Sequence, residues 1–297
     1  MRVGLIGRTH WIRDTGILAR ARGFDVAFLA TAAASPGSRV GVAELRAFAL
    51  EAGITFTDDV RIERQALEAD VCLSVNWTTV LRQPFLDRFP HGILNAHAGD
   101  LPRYRGNATL NWAILNGETE ACLTVHRMVE ALDAGPIALQ KRRPIGPDDD
   151  MSVLSAWLDK VIPSALVEAL EGLQAGTLTF TDQNVAVRPL RAYPRKPEDS
   201  RIDWSASAEA VVRLVRASSP PFSGARCITE QGDEVVIYRA RVHEPDHDFL
   251  AVPGQVCFAN DGNPVIATGS GMVEVLECAD DAATKRRILS SLRNRLV

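Results

Sequence analysis

Short apolar runs alternate with longer amphipathic ones along the first 180 residues. Val3-Gly-Leu-Ile-Gly7, Val26-Ala-Phe-Leu29, Val71-Cys-Leu-Ser-Val75, Gly92-Ile-Leu94 and residues 137–140 are short, with little polar character on either alternation. That pattern suits strands buried on both faces of a sheet. Residues 12–22, 42–52 and 109–116 instead carry apolar positions at helical spacing, and Gly53 and Gly117 stand where two of those helices stop. Residues 76–81 lead into a further helix ending near Phe89, and residues 122–128 alternate enough for another strand. Asp148-Asp-Asp150 caps a long helix whose Leu154, Trp157, Leu158, Val161, Ile162, Ala165, Leu166 and Leu170 step by three and four, and Gly176 stops it. Strands alternating with helices predict an open, mostly parallel sheet in an α/β domain.

Near Pro189 the texture changes. Pro194-Arg-Lys-Pro-Glu-Asp-Ser200 reads as a linker, Arg201-Ile-Asp-Trp204 opens a second unit, and residues 206–217 form an alanine-rich helix. Short β-prone segments at 225–229, 235–240, 254–259, 264–268 and 273–276, separated by Gly and Asp turns, predict a small barrel or sandwich. The expected division is a domain over residues 1–189, a linker over 190–203 and a second domain over 204–297.

Composition narrows the class. A chain of 297 residues with 46% hydrophobic content can bury a sizeable core, and no apolar run approaches the roughly 20 residues that span a bilayer. The start runs straight into a strand, so neither a signal peptide nor a membrane partner is expected, and the location expected is cytoplasmic. Five cysteines, odd in number and without metal spacing, read as buried reduced thiols; no metal is expected. The net charge is −4, and from Leu190 to Val297 fourteen Lys and Arg face fifteen Asp and Glu. Nucleic-acid binding draws much of its affinity from phosphate neutralisation, so this balance argues against a nucleic-acid partner. The basic stretch from Lys285 to Arg295 is read as a solvated helix face.

Candidate chemistry gathers between Asn95 and Ile137. In an extended Asn95-Ala96-His97, the period of two points the carboxamide and the imidazole the same way. The strand at 122–128 ends in a loop carrying Asp133 and Gly135. Ligands of open sheets sit at the carboxyl ends of strands, where Asn95, His97 and Asp133 fall together. Gly4 and Gly7 invite a dinucleotide reading, which fails on the absent G-x-G-x-x-G spacing. His10, in the loop after the first strand, lies beside the same cleft; contact with a substrate and no role at all both stay open.

These residues resemble a known family. Asn-x-His at a strand end, Leu101-Pro-x-x-Arg-Gly106, Asn111-Trp-Ala-Ile-x-Asn-Gly-Glu118, and Thr124-x-His-x-Met128 leading to Leu132-Asp-x-Gly135 are similar to the formyltransferases that use formyl-tetrahydrofolate. That group includes methionyl-tRNA formyltransferase, the formyltransferase domain of the lipid A aminoarabinose pathway and sugar N-formyltransferases. The resemblance implies a Rossmann-like open twisted sheet with helices on both faces, followed by a small OB-like β-barrel. It places the catalytic set on Asn95, His97 and Asp133. It also walls the pterin of the donor with Trp77, Val80, Leu81, Val129 and Ala131, although Val80 and Leu81 equally fit the buried face of a helix. On the acceptor side it suggests His10, Tyr104 and Arg105. His126 matches a histidine common in the family and is read as structural.

The residue types suit the reaction. Formyl transfer to an amine passes through a tetrahedral centre whose oxygen turns negative, and a donor such as the Asn95 carboxamide stabilises it. The amine attacks when neutral and then loses a proton, work for an imidazole such as His97 with Asp133 beside it. Two departures stand out: Gly99-Asp100-Leu101-Pro102 replaces the usual Ser-Leu-Leu-Pro, and Val129 and Ala131 replace an acid and a glycine. The lysine-rich loop by which the tRNA enzymes meet nucleic acid is a short, nearly uncharged segment at 32–39. The expected function is therefore formylation of a small-molecule amine, with an amino sugar on a nucleotide carrier as leading acceptor. Methionyl-tRNA, an amino-acid-derived amine or hydroxylamine, and a non-catalytic folate binder are the alternatives. Sugar enzymes of this family are often dimers, which leaves a homodimer open.

Overall fold

Apolar runs without a polar face become the inner strands of one sheet. In the computed structural model, which describes residues 1–33, 38–291 and 293–297, β1 (Arg2–Gly7), β2 (Asp25–Ala30), β3 (Thr55–Thr57), β4 (Val71–Val75) and β5 (Ile93–His97) run parallel. A two-residue strand, β6 (Arg105–Gly106), precedes β7 (Glu120–Arg127), which joins β5 antiparallel, and β8 (Ile137–Pro144), which joins β7 antiparallel. The order is β3-β2-β1-β4-β5-β7-β8, so the chain steps outward from β1 in one direction and then returns to leave in the other. That reversal opens a crevice at the carboxyl ends of β1 and β4. The sheet is mostly parallel, in agreement with the sequence reading.

Alternation on β1 explains how both faces are covered. A Cβ on Gly7 would lie 2.9 Å from Ile12 Cβ, and one on Gly16 would lie 2.6 Å from Leu5 Cδ1, so α1 (His10–Ala21) lies tight against the face of Leu5 and Gly7. α2 (Val42–Ala52) follows, ended by Gly53 at φ +68. On the opposite face Gly4 approaches Phe28 and Cys72, and Ile6, Phe28, Phe85, Phe89 and Ile93 form one apolar cluster. The helix expected between residue 76 and Phe89 shrinks to α3 (Gln83–Leu86), because Asn76 takes a left-handed φ of 55° and Pro84 sets the helix start. α4 (Thr109–Leu115) and α5 (Met151–Gln174) form as read, with the Asp150 carboxylate accepting from the Ser152 and Val153 amides. In the expected loop at 32–39, residues 34–37 lie outside the described residues.

The chain divides into two compact units, one of residues 1–109, 120–144 and 156–193, the other of 110–119, 145–155 and 194–297. The second thus takes in two stretches that the sequence reading puts in the first. β9 (Arg191–Ala192) belongs to the first unit and pairs with β6. The second unit holds α6 (Ala208–Ser218), capped by Ser207, and β10 (Ala225–Ile228), β11 (Glu234–His243), β12 (Val256–Asn260), β13 (Asn263–Ala267) and β14 (Met272–Cys278), followed by α7 (Asp281–Ile288). Its strands form an antiparallel sheet in the order β10-β11-β14-β13-β12.

Residues 294–297 close that sheet. Val297 exchanges two backbone hydrogen bonds with Ile228 beside β10, while Leu296 N donates to Gly254 O and Val256 N to Asn294 O beside β12. The segment therefore runs between the two edge strands and satisfies backbone groups that would otherwise template pairing with another chain. Gly254, at φ +83, leaves room for it: a Cβ there would stand 2.1 Å from Leu296 O. Leu296 is buried in the core with Trp204, Val211, Val256 and Ile266. Truncating a buried leucine costs about 2–5 kcal/mol, so Leu296→Ala is expected to lower the unfolding free energy by that much, read as a lower denaturant midpoint at unchanged slope. An unchanged midpoint would mean that closure contributes nothing.

Candidate active site

Strand register brings the polar residues to one edge. Gly7 pairs with Val75 and Val75 with Ala96, so Arg8, Asn76 and His97 follow in a row across β1, β4 and β5, with neighbours roughly 4.8 Å apart. Across the antiparallel pair Asn95 stands opposite His126 and His97 opposite Thr124, and the period of two puts all four on one face.

The hydrogen bonds assign each ring its tautomer. His126 Nδ1 lies 3.1 Å from Arg127 O and must donate to it, which leaves Nε2 to accept from Asn95 Nδ2 at 3.1 Å. Burial pushes the His126 pKa down to about 4, helped by His97 nearby, so the ring is neutral at pH 7 and its Nε2 lone pair is free for Asn95. His97 Nε2 lies 2.7 Å from Tyr104 O and donates to it, so Nδ1 is the atom left to take a proton. Asp133 Oδ2 is 3.7 Å from that nitrogen, and Asp133 Oδ1 is 3.7 Å from His126 Nε2. Side-chain exposure is 8% for His97 and 12% for Asp133, low enough for charges to act strongly on one another.

Local backbone explains why these groups meet. Asp133 takes a left-handed φ of 48°, and its carboxylate accepts from Gly106 N at 2.8 Å. Gly135 must be glycine, since a Cβ would fall 1.8 Å from Arg127 O as the loop turns back on β7. Gly99, standing where the resemblance implies a serine, leaves no space either: a Cβ would meet Tyr104 O at 2.5 Å and His97 Nε2 at 2.6 Å. The departure from Ser-Leu-Leu-Pro thus coincides with the close seat of the imidazole. Thr124 Oγ1 donates to Gly99 O and receives from Gln140, which ties that loop to β7 and β8.

The remaining expected residues divide. Val80 and Val129 are exposed apolar side chains, at 57% and 36%, and Leu132 is a third at 38%. Their two loops are tied by the Arg82–Glu130 ion pair at 2.9 Å. Trp77 packs partly against the apolar cluster and its indole donates to Thr79, and Ala131 is exposed. Leu81 is a correction: it is buried inside that cluster. His10 is another, being the buried first residue of α1 rather than an exposed loop residue, with Nε2 2.7 Å from Asp159 on α5. Tyr104 is a third, since its side chain is 3% exposed and its contribution is the carbonyl that holds His97. Arg105 turns to Gln183.

Sequence reasoning missed three participants. His126 orients Asn95, a role that becomes visible once β5 and β7 are known to pair. Gln183 sits in a polar stretch with no periodicity to mark it. Arg8 donates to Asn76 O, Asn76 Oδ1 and Ala33 O, and among the described residues no carboxylate pairs with it. A cation without a carboxylate partner among the described residues therefore stands at the carboxyl edge of the sheet. No group of three or more His, Cys, Asp or Glu among the described residues is arranged to hold a metal ion. All five cysteines are unpaired, and no helix among the described residues is long and apolar enough to cross a membrane.

Solved structures share this architecture. WlaRD, a sugar 3N-formyl transferase crystallised in the presence of dTDP and 5-N-formyl-THF, gives a TM-score of 0.70 at 17% identity, covering 93% of this chain and 97% of that one. An N-formyltransferase from Helicobacter canadensis, in complex with folinic acid and dTDP-3-aminofucose, gives 0.70 at 14% identity over 92% and 98%. HypX from Aquifex aeolicus, in complex with tetrahydrofolic acid, gives 0.62 at 21% identity and covers 94% of this chain. This chain spans 44% of that HypX, less than half its length. At such identities the likeness concerns the fold. Family membership rests on the sequence itself: residues 25–170 match Formyl transferase and residues 195–292 match Formyl transferase, C-terminal domain. The chain belongs to the formyl transferase family.

Proposed function

We propose that this chain transfers a formyl group from formyl-tetrahydrofolate to the amine of a small molecule, with an amino sugar on a nucleotide carrier as the leading acceptor. The observation that carries the reading is the meeting of Asn95, His97 and Asp133 at the carboxyl edge of the sheet. The amine nitrogen bonds to the formyl carbon, the carbon–nitrogen bond to the folate breaks, and a proton moves from the amine to the departing folate nitrogen. Asn95 Nδ2 directs one N–H to His126 and has a second to offer the oxygen that turns negative. His97 Nδ1 takes and returns the proton, and Asp133 holds the transient imidazolium.

The donor fits what surrounds the trio. Exposed Val80, Val129 and Leu132, on loops that Arg82 and Glu130 tie together, offer apolar surface of the kind a pterin ring covers. Arg8 supports an acceptor carrying phosphate or another anion, because its guanidinium has no carboxylate partner among the described residues. The nucleotide-sugar and folate ligands of the relatives point the same way. Against tRNA, Lys285 is paired with Asp281 and Arg287 with Asp233, so part of the basic stretch is already neutralised.

Release of tetrahydrofolate from 10-formyl-tetrahydrofolate, followed across a panel of nucleotide-linked amino sugars, simple amines and methionyl-tRNA, tests the reading. Turnover with at least one nucleotide-linked amino sugar, above the rate with simple amines, is expected. Folate binding with no turnover on any member would replace the transferase by a folate binder, and turnover confined to tRNA would overturn the acceptor.

A further inference from the structure

Gln183 makes every contact its carboxamide allows. Nε2 donates to Asp133 O at 2.7 Å and to Gly135 O at 2.9 Å, and Oε1 accepts from Arg105 Nη2 at 2.5 Å and Nε at 3.2 Å. Carbonyls need donors and a guanidinium needs an acceptor, so only one orientation of the amide serves both sides. Asp133 also needs the help. Its left-handed φ of 48° is uncommon for a residue with a side chain and persists where neighbours over-determine it.

The contacts close a ring. Arg105 grips Gln183, Gln183 holds the backbone of Asp133 and Gly135, and the Asp133 carboxylate returns to the amide of Gly106, the neighbour of Arg105. The stretch carrying Gln183 is itself anchored on both sides. Thr181 exchanges two backbone bonds with Ile137, Leu190 O accepts from Arg105 N, and β9 pairs with β6. Gln183 is half-buried in a stretch whose neighbours Asp182 and Asn184 are exposed. We propose that Gln183 is a positioning residue for formyl transfer, which fixes Asp133 opposite His97 by clamping the loop from Asp133 to Gly135. The inference rests on the transferase reading above.

Two variants separate clamping from mere anchoring of Arg105. Gln183→Ala removes both sets of contacts, whereas Gln183→Glu keeps an acceptor for Arg105 and loses both donors to the loop. Misplacing a catalytic group by about 1 Å costs on the order of a hundredfold in rate. Both variants are therefore expected to lower kcat by about ten- to hundredfold, with KM for 10-formyl-tetrahydrofolate within twofold and hydroxylamine as the acceptor probe. Native-state hydrogen exchange of the Gly106 amide, whose acceptor is the Asp133 carboxylate, is expected to quicken at least tenfold in both, with melting temperatures near that of the parent. Full activity in Gln183→Glu would mean that Gln183 only anchors Arg105, and lost activity with unchanged Gly106 exchange would exclude a route through Asp133; either outcome overturns the proposal. If the parent turns over neither hydroxylamine nor any acceptor of the panel above while Gly106 still loosens in the variants, the transferase reading falls and the clamp on Asp133 stands. If neither readout moves, the clamp falls.

Discussion

Replacing Asn95 with alanine is expected to lower kcat by about 10²–10³, the usual effect of losing one donor to a developing oxyanion. The size follows from what fixes the carboxamide. His126 can accept only when neutral, and with its pKa pushed down to about 4 it stays so throughout the working range. Its Nδ1–H is committed to Arg127 O, so Nε2 can only accept, and that forces the NH₂ end of Asn95 toward it. One N–H of the pair is then aimed by the protein before any substrate arrives. A donor fixed in advance is worth more than one that must turn on binding. Asn95 is partly exposed in the middle of β5, so the substitution leaves no sealed cavity and the melting temperature should barely move. Steady-state kinetics with the formyl donor and an amine, alongside thermal melts, check both halves. Unaltered kcat would remove Asn95 from the reaction.

The contrast between Asn95 and Gln183 explains what a sequence can reveal. Asn95 and His97 are legible because a strand imposes a period of two, and two residues apart on a strand means one face. His126 obeys the same rule on β7, yet its contact with Asn95 depends on which strands pair and in what register, and the linear order of residues does not encode that directly. Gln183 acts through backbone carbonyls of a loop fifty residues away, so neither its own type nor its neighbours mark it. Tyr104 is misread for a related reason, since the useful atom is a main-chain oxygen that every residue possesses. His10 looks like a loop residue because helix starts are among the least defined features of a sequence, and here α1 begins two residues early. Most strands, the long helix and the second sheet are legible because their apolar positions repeat, whereas β3 and the two-residue β6 and β9 are too short to carry a pattern. The closure by residues 294–297 is not, because four residues carry no period.

Asp133→Asn is expected to be about as damaging as Asn95→Ala, through charge and not through shape. The amide keeps the size of the side chain and an oxygen for the Gly106 amide. What disappears is a negative charge 3.7 Å from His97 Nδ1. Two unit charges about 4 Å apart in surroundings of intermediate polarity interact by about 4 kcal/mol, an upper value for what the imidazolium loses, and each 1.4 kcal/mol is tenfold in rate. A fall in kcat of about 10²–10³ with donor binding retained is therefore the expected outcome. His97→Ala removes the proton carrier itself and should also retain donor binding. If the carboxylate acts by way of the imidazole, the double variant should be no slower than His97→Ala alone, because a group that works through another has nothing to add once its partner is gone. Losses that multiply in the double variant would assign Asp133 a separate task, such as a direct contact with the incoming amine.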